Sequence, residues 1–241
     1  MRNNTTKIVR DSKRRVLSNH FSGTLVVEGA PSDKFRIDSL SYPDVKAMSL
    51  MAKRVSDFTW SLVLLILLAI PMLIIAVLVK LTSPGPIIYK QTRIGRGGRE
   101  FELYKFRSMS VDAEQKTGPV WAAKNDLRPT RVGHFLRRFS LDELPQFINV
   151  LRGEMSLVGP RPERPHFVDK FTQEIPEYHL RHQMLPGLTG WAQVCGWRGD
   201  TSLRKRLECD LDYINAWSLK RDVYICLMTP WELLRGESCD R

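Results

Sequence analysis

From Phe58 to Val79 the chain reads FTWSLVLLILLAIPMLIIAVLV, with no charged residue. A straight helix over this run would be ~33 Å long, enough to cross a hydrocarbon core of roughly 30 Å. Soluble core helices rarely need so long an apolar stretch, so the run is read as membrane-embedded. Pro71 lies near its middle, where it removes a backbone hydrogen bond and kinks or breaks a helix. Both flanks are basic: Lys53 and Arg54 precede the run, and Lys80, Lys90, Arg93, Arg96 and Arg99 follow it. Positive flanks favour the cytoplasmic side. A crossing has one cytoplasmic end, whereas a helix–break–helix hairpin has two. The residues alone leave a kinked crossing and a re-entrant hairpin equally open.

The rest of the chain is compatible with one medium domain. A net charge of +11 and a pI near 9.7 point to acidic partners. Next to a membrane segment these are lipid headgroups and phosphorylated small molecules. Nucleic acid is not expected, because no binding module accompanies the charge. Cys195, Cys209, Cys226 and Cys239 form no CxxC pair, and they read as free thiols of a reducing compartment. No signal peptide is expected, since the first apolar run begins far from Met1. His134, His166, His179 and His182 lack metal-ligand spacing.

Residues 1–44 read as a polar, mobile tail, with a basic cluster at Lys13, Arg14 and Arg15 and a short strand over Gly23–Gly29. Residues 45–81 read as a juxtamembrane and membrane helix, 82–235 as a cytoplasmic domain, and 236–241 as a C-terminal tail. After the breaker TSPGP, two short strands are expected in PIIYKQTRIG and REFELYKFRSM, joined by a Gly turn. Residues 111–130 read as loop. Val132, Phe135, Leu136 and Phe139 have helical spacing, SLDELPQFINVL begins another helix, and MSLVGPRPERP is a rigid Pro-rich loop. Short helices are expected around FVDKF and PEYHLRHQ. LPGLTGWAQVCGWRGD reads as turn, strand and Gly-rich loop, and two amphipathic helices as filling Ser202–Arg235, with Trp217, Tyr224 and Trp231 available to a membrane interface. The fold class is therefore α+β, mainly helical, with a few short strands.

The sharpest chemical candidate is Ser140-Leu141-Asp142-Glu143-Leu144-Pro145. Pro145 is tolerated only in a first helical turn, which starts the helix near Leu141 or Asp142. Two carboxylates then sit at a helix N-terminus, where the dipole favours their ionised forms. An ionised Asp can attack phosphorus and a neighbouring Glu can hold a divalent cation. Ser140 and Glu143 equally make a capping box that requires no chemistry. Basic residues crowd this stretch: Arg131, Arg137 and Arg138 before it, Arg152, Arg161 and Arg164 after. Lys105 and Arg107, at the end of a strand, add further charge. Arginine forks grip phosphate, and the prolines beside Arg161 hold it with little freedom. Singly these are surface residues; together with paired acids and a cation they describe a diphosphate site.

Several motifs coincide in order: KRVSD before an apolar run with a central proline, YKFRSM, FLRRFSLDELPQFINVLRGEMSLVGPRP, PGLTGWAQVCGWRGD and LECDLDYINAWSLKRD. Over about Met51–Leu234 they closely resemble the bacterial sugar transferases, the monotopic phosphoglycosyl transferases. The resemblance implies a re-entrant helix broken at Pro71 in the cytoplasmic leaflet of the bacterial inner membrane, with the catalytic domain on the cytoplasmic face. It implies transfer of hexose-1-phosphate from a UDP-sugar to undecaprenyl phosphate, with release of UMP, as the first step of exopolysaccharide, capsule or O-antigen synthesis. Asp142 matches the family's nucleophile, which forms a covalent phosphosugar intermediate, and Glu143 the residue that binds Mg2+. Lys105, Arg161 and Asp210 match further active-site positions, expected to contact substrate. Ile70 departs from the family's Ser before the proline, and Cys195 from a common Asn. GWRGD resembles the branch that often transfers glucose- or galactose-phosphate. Larger relatives carry extra N-terminal membrane helices and a further domain, so this chain resembles the minimal catalytic form. A non-catalytic membrane scaffold of glycan assembly, and a glycosyltransferase releasing UDP, are the competing functions. The oligomeric state, a homodimer included, stays open.

Overall fold

The apolar run folds as two helices, α1 (Ala47–Leu67) and α2 (Ala69–Thr82), separated by Leu68. They meet at a bend of 63°. A break was expected at Pro71, but it falls three residues earlier, for a steric reason. The ring of Pro71 conflicts with the carbonyl four residues back, that of Leu67, and it donates no N–H to it. The chain therefore ends α1 at Leu67, and Pro71 sits in the first turn of α2, where a proline is tolerated. Among the described residues no single helix is long and apolar enough to cross a membrane, while the bent pair passes by length and composition. The computed structural model describes residues 47–111, 113, 118, 128–199 and 201–235. The expected N-terminal tail with its Gly23–Gly29 strand, the C-terminal tail, and most of 111–130 lie outside the described residues.

The outer surface of the pair is apolar and exposed, including Trp60, Ile66, Leu67, Ile70, Leu73 and Leu81. Its inner face packs on the domain: Ile75 and Val79 are buried with Phe106 and Leu136. Each such burial is worth about 1.5–3 kcal/mol. Lys53 and Arg54, the basic residues just before the run, are turned onto the domain. Lys53 is 6 % exposed and donates to Asp222 Oδ2 at 2.6 Å. Arg54 donates to the carbonyls of Val150 and Leu151 at 2.5 and 2.7 Å, closing the end of another helix. Buried charges need partners, and these provide them.

The two expected strands form an antiparallel hairpin, β1 (Ile88–Ile94) with β2 (Glu100–Phe106), Gln91 facing Leu103. The turn between them contains Gly97 and Gly98, both at positive φ. α3 (Arg131–Arg138) follows, N-capped by Thr130, whose hydroxyl accepts from Gly133 N–H at 2.9 Å. Its Leu136 is buried, while Phe135 and Phe139 face outward against each other. A 3₁₀ turn (Leu141–Glu143) leads into α4 (Gln146–Arg152). β3 (Ser156–Val158) pairs in parallel with β4 (Gly187–Thr189). Between them lie α5 (Pro165–Glu174) and, over Pro176–Gln183, a 3₁₀ helix. Where a Gly-rich loop was expected after β4, the chain first makes the short α6 (Trp191–Val194). α7 (Leu203–Asn215) and α8 (Leu219–Arg235) complete a mainly helical α+β fold. The main core gathers Val158, Ile175, Tyr178, Leu207, Leu211, Tyr213, Ile214 and Ile225.

Candidate active site

Asp142 and Glu143 are placed by the way α4 docks on β2. Asn149, fully buried, acts as a short strand edge: its amide accepts from Tyr104 N–H at 3.1 Å and donates to the Glu102 carbonyl at 2.6 Å. On β2 the alternation of side chains puts Leu103 against Val150 and Lys105 on the same face, toward the acidic pair. The chain enters through Ser140, at φ 54°, the one non-glycine at positive φ among the described residues. Such a conformation costs of order 1–3 kcal/mol and clusters at functional sites. It also removes the capping box. Ser140 makes no side-chain cap, and Pro145 itself stands at the N-cap of α4.

Glu143 is instead held by cations. Lys105 Nζ lies 2.8 Å from its Oε1, and Arg161 donates Nη1 to its Oε2 at 3.2 Å and Nη2 to its Oε1. Burial alone would push the carboxyl up, but Arg161 and Lys105, by charge and by hydrogen bonding, outweigh it and hold it well below the usual range. Asp142 goes the other way: its burial raises it, the Glu143 charge adds to that, and Lys105, Arg137 and Arg161 offset only part. The expected ionisation of both acids by a helix dipole is therefore not what separates them. α4 is short, and burial against cation contact decides.

Asp142, Glu143, Lys105, Arg161 and Asp210 all line one cavity of about 750 Å³. Asp210 is in its wall, 2 % exposed, with Oδ2 bonded by Arg181 Nε at 2.9 Å. Burial raises its carboxyl against the pull of Arg181. Arg137, Arg138 and Arg164 also line the cavity. Arg107 lines it too, but its guanidinium is committed to the end of α2, donating to the Ser83 carbonyl at 2.7 Å and hydroxyl at 2.8 Å. Arg128, Arg198 and Arg206 were not singled out from the sequence, yet all reach this cavity. Arg198 stands in the quoted GWRGD segment between two positive-φ glycines, Gly196 and Gly199, the one sequence signal that could have marked it. The cavity thus joins a buried acidic pair to a wall of guanidinium groups, suited to a ligand carrying several phosphate charges.

The family model for bacterial sugar transferases matches residues 48–236. The chain belongs to the bacterial sugar transferase family. It is 47 % identical over 186 residues, 76 % of this chain and 40 % of the relative, to the UDP-glucose:undecaprenyl-phosphate glucose-1-phosphate transferase of Escherichia coli (strain K12). It is 47 % identical over 186 residues, 76 % of this chain and 44 % of the relative, to a UDP-N-acetylgalactosamine-undecaprenyl-phosphate N-acetylgalactosaminephosphotransferase of Aeromonas hydrophila. An exopolysaccharide production protein PSS of Rhizobium leguminosarum bv. phaseoli is 44 % identical over 201 residues, 79 % of this chain and 99 % of that protein. The chain spans about two fifths of the length of the first two relatives. Cys195 is an exposed free thiol beside the cavity-lining Gln193 and Gly196.

Proposed function

We propose that the protein transfers a sugar-1-phosphate from a UDP-sugar to undecaprenyl phosphate in two displacements. In the first, a carboxylate oxygen of Asp142 bonds to the phosphorus next to the sugar, and the bond from that phosphorus to the UMP oxygen breaks, so UMP leaves. In the second, a phosphate oxygen of undecaprenyl phosphate attacks the same phosphorus, the Asp142–phosphorus bond breaks, and the product diphosphate departs. The observation that carries this reading is the buried acidic pair inside a cation-lined cavity. Burial strips water from Asp142 and raises its basicity, which suits a nucleophile. Arg161 and Lys105, held beside the acidic pair by Glu143, bring positive charge to where a diphosphate would sit.

Mg2+ fits the donor set. Among the described residues no group of three or more His, Cys, Asp or Glu side chains could hold a metal. Mg2+ nevertheless needs only one or two carboxylates where substrate phosphates and water complete its shell. Glu143, held ionised on the cavity wall, with Asp142 beside it, supplies hard oxygens of that kind. When bound, the cation neutralises diphosphate charge. The exposed apolar faces of α1 and α2 support embedding of the pair in one leaflet of the inner membrane, on the cytoplasmic side, so that a lipid-borne phosphate meets a soluble donor at headgroup height. The relatives' names divide between glucose and N-acetylgalactosamine, and the sugar is left to assay.

The test is Asp142→Asn in the full chain with UDP-sugars and undecaprenyl phosphate. UMP release should fall at least 1,000-fold, and mass spectrometry of wild type quenched with donor alone should find a phosphosugar on Asp142. Release of UDP in place of UMP points to direct glycosyl transfer. Glycan synthesis that survives loss of both Asp142 and Glu143 but not of the anchor points to a scaffold.

A further inference from the structure

The guanidinium of Arg161 meets Glu143, but its backbone belongs to a loop, Gly159-Pro160-Arg161-Pro162-Glu163, whose placement depends on contacts far away in sequence. The flanking carbonyls are fixed by partners of their own. The carbonyl of Pro160 accepts from Gly187 N–H at 2.9 Å, that of Pro162 from Arg93 Nη1 at 3.1 Å, and that of Glu163 from Ile94 N–H at 2.9 Å. The carbonyl of Arg161 itself is bonded by Arg181 Nη2, at 2.9 Å. Arg181 is 1 % exposed, and its remaining donors are engaged. Nε bonds Asp210 Oδ2 at 2.9 Å, Nη1 bonds the Tyr178 hydroxyl at 2.6 Å, and Nη2 also lies 2.6 Å from Asp210 Oδ2. A planar fork held at three points cannot swing, so it fixes the one backbone atom it touches.

We propose that Arg181 is a positioning residue: held by Asp210 and Tyr178, it fixes the backbone of Arg161 so that the Arg161 side chain meets the acidic pair and the donor's phosphates. Asp210 then acts through Arg181, as a second member of the same device. This rests on the reaction proposed above, because it takes the donor's phosphates as the ligand of Arg161. A buried ion pair often contributes little to net stability. Its value here is geometric, since a misplacement of about 1 Å near a reacting centre costs up to ~100-fold in rate.

The test is a double-mutant cycle in the full chain, in lipid nanodiscs, following UMP release at varied UDP-sugar. Arg181→Met should raise KM for the UDP-sugar and lower kcat/KM by about 10- to 100-fold. In an Arg161→Gln background the same change should alter kcat/KM by less than about twofold, because the group it positions is gone. Arg181→Lys, which restores a charge against Asp210, should recover part of the loss. A merely structural role lowers kcat through the folded fraction, leaves KM unchanged and acts by the same factor in both backgrounds; that result overturns the inference. If Arg181→Met does not fold, Tyr178→Phe removes one support of the fork and should raise KM about two- to threefold, again only when Arg161 is present; an unchanged KM overturns the inference. Wild type that releases no UMP from any UDP-sugar overturns the underlying reaction instead, a distinguishable result.

Discussion

His182 shows how far a neighbour's commitment reaches at the scale of one residue. Its Nε2 is buried without a hydrogen-bond partner, and its ring stands edge-on to Tyr178, 6.2 Å between centroids. Burial, with the charges of Arg181 and His179, pushes it down to about 4. Above the ordinary imidazole value it is neutral in the folded and the unfolded chain, and contributes no pH dependence. As pH falls below about 6.5 the unfolded chain takes up a proton that the folded one refuses until about 4. Folded stability therefore drops through that window and levels off beneath it, by roughly 2 kcal/mol after allowing for the part of the ring that water reaches. His182→Leu should remove this slope. Denaturation of both proteins at pH 7, 5.5 and 4 checks it; parallel curves for the two would contradict it. The adjacent acids teach the same lesson. Asp142 and Glu143 are neighbours in the chain, yet one is raised by burial and the other lowered by two cations, because only Glu143 is held by both Lys105 and Arg161.

Among elements, the α1–α2 pair is tied to the domain by polar contacts as well as apolar ones. Lys53 of α1 donates to Asp222 of α8 at 2.6 Å and to the Val158 carbonyl of β3 at 3.1 Å. Tyr213 of α7 donates to the other oxygen of Asp222 at 2.7 Å, and Trp217 Nε1 to Oδ2 at 3.1 Å. Asp222 thus collects donors from two helices, α1 and α7, and from the loop between α7 and α8 around one carboxylate. Asp222→Ala should cost about 3 kcal/mol, since it takes the nearer carboxylate from buried Lys53, leaving only Asp57 Oδ2 at 3.8 Å, and strips the acceptor from Trp217 Nε1. Thermal unfolding in detergent measures this, and a loss below about 1 kcal/mol would show that water reaches Lys53. Close backbone packing works alongside. A Cβ on Gly133 of α3 would stand 1.8 Å from the Ser108 carbonyl oxygen, so α3 docks there only because that residue is glycine.

For the whole molecule, the question is where the two ends of the apolar run emerge. Lys53 and Arg54 are engaged by the domain before the run, and Arg107 holds Ser83 after it. Both ends are thus fastened to the same body, which supports the re-entrant insertion proposed above. Tags placed before Lys53 and after Lys80 should both be cytoplasmic, read by accessibility to an impermeant reagent in intact cells. Pro71→Leu, which restores the N–H toward the Leu67 carbonyl, should straighten the pair and shift part of the population toward a periplasmic N-terminus. Two tags on opposite sides in wild type would establish a simple span.

The apolar run, its proline, the β1–β2 hairpin and the adjacency of Asp142 and Glu143 were determined by the sequence alone, because each rests on residues within a turn or two of one another. Even the break was legible to within three residues. Tertiary structure alone decided the rest. Ser140-x-x-Glu143 has the spacing of a cap, and only the arrival of Lys105 from β2 and Arg161 from its Pro-rich loop turns Glu143 toward the cavity. Lys53 and Arg54 read as basic flanks, and only the packing of α1 on α4 and α8 buries them. Asp210 is marked only by the family resemblance, and its bond to Arg181, 29 residues away in the chain, shows how it is held in the cavity wall. Local rules govern hydrogen bonds between neighbours in the chain; which charges meet in a dry interior depends on contacts that form when the whole fold closes.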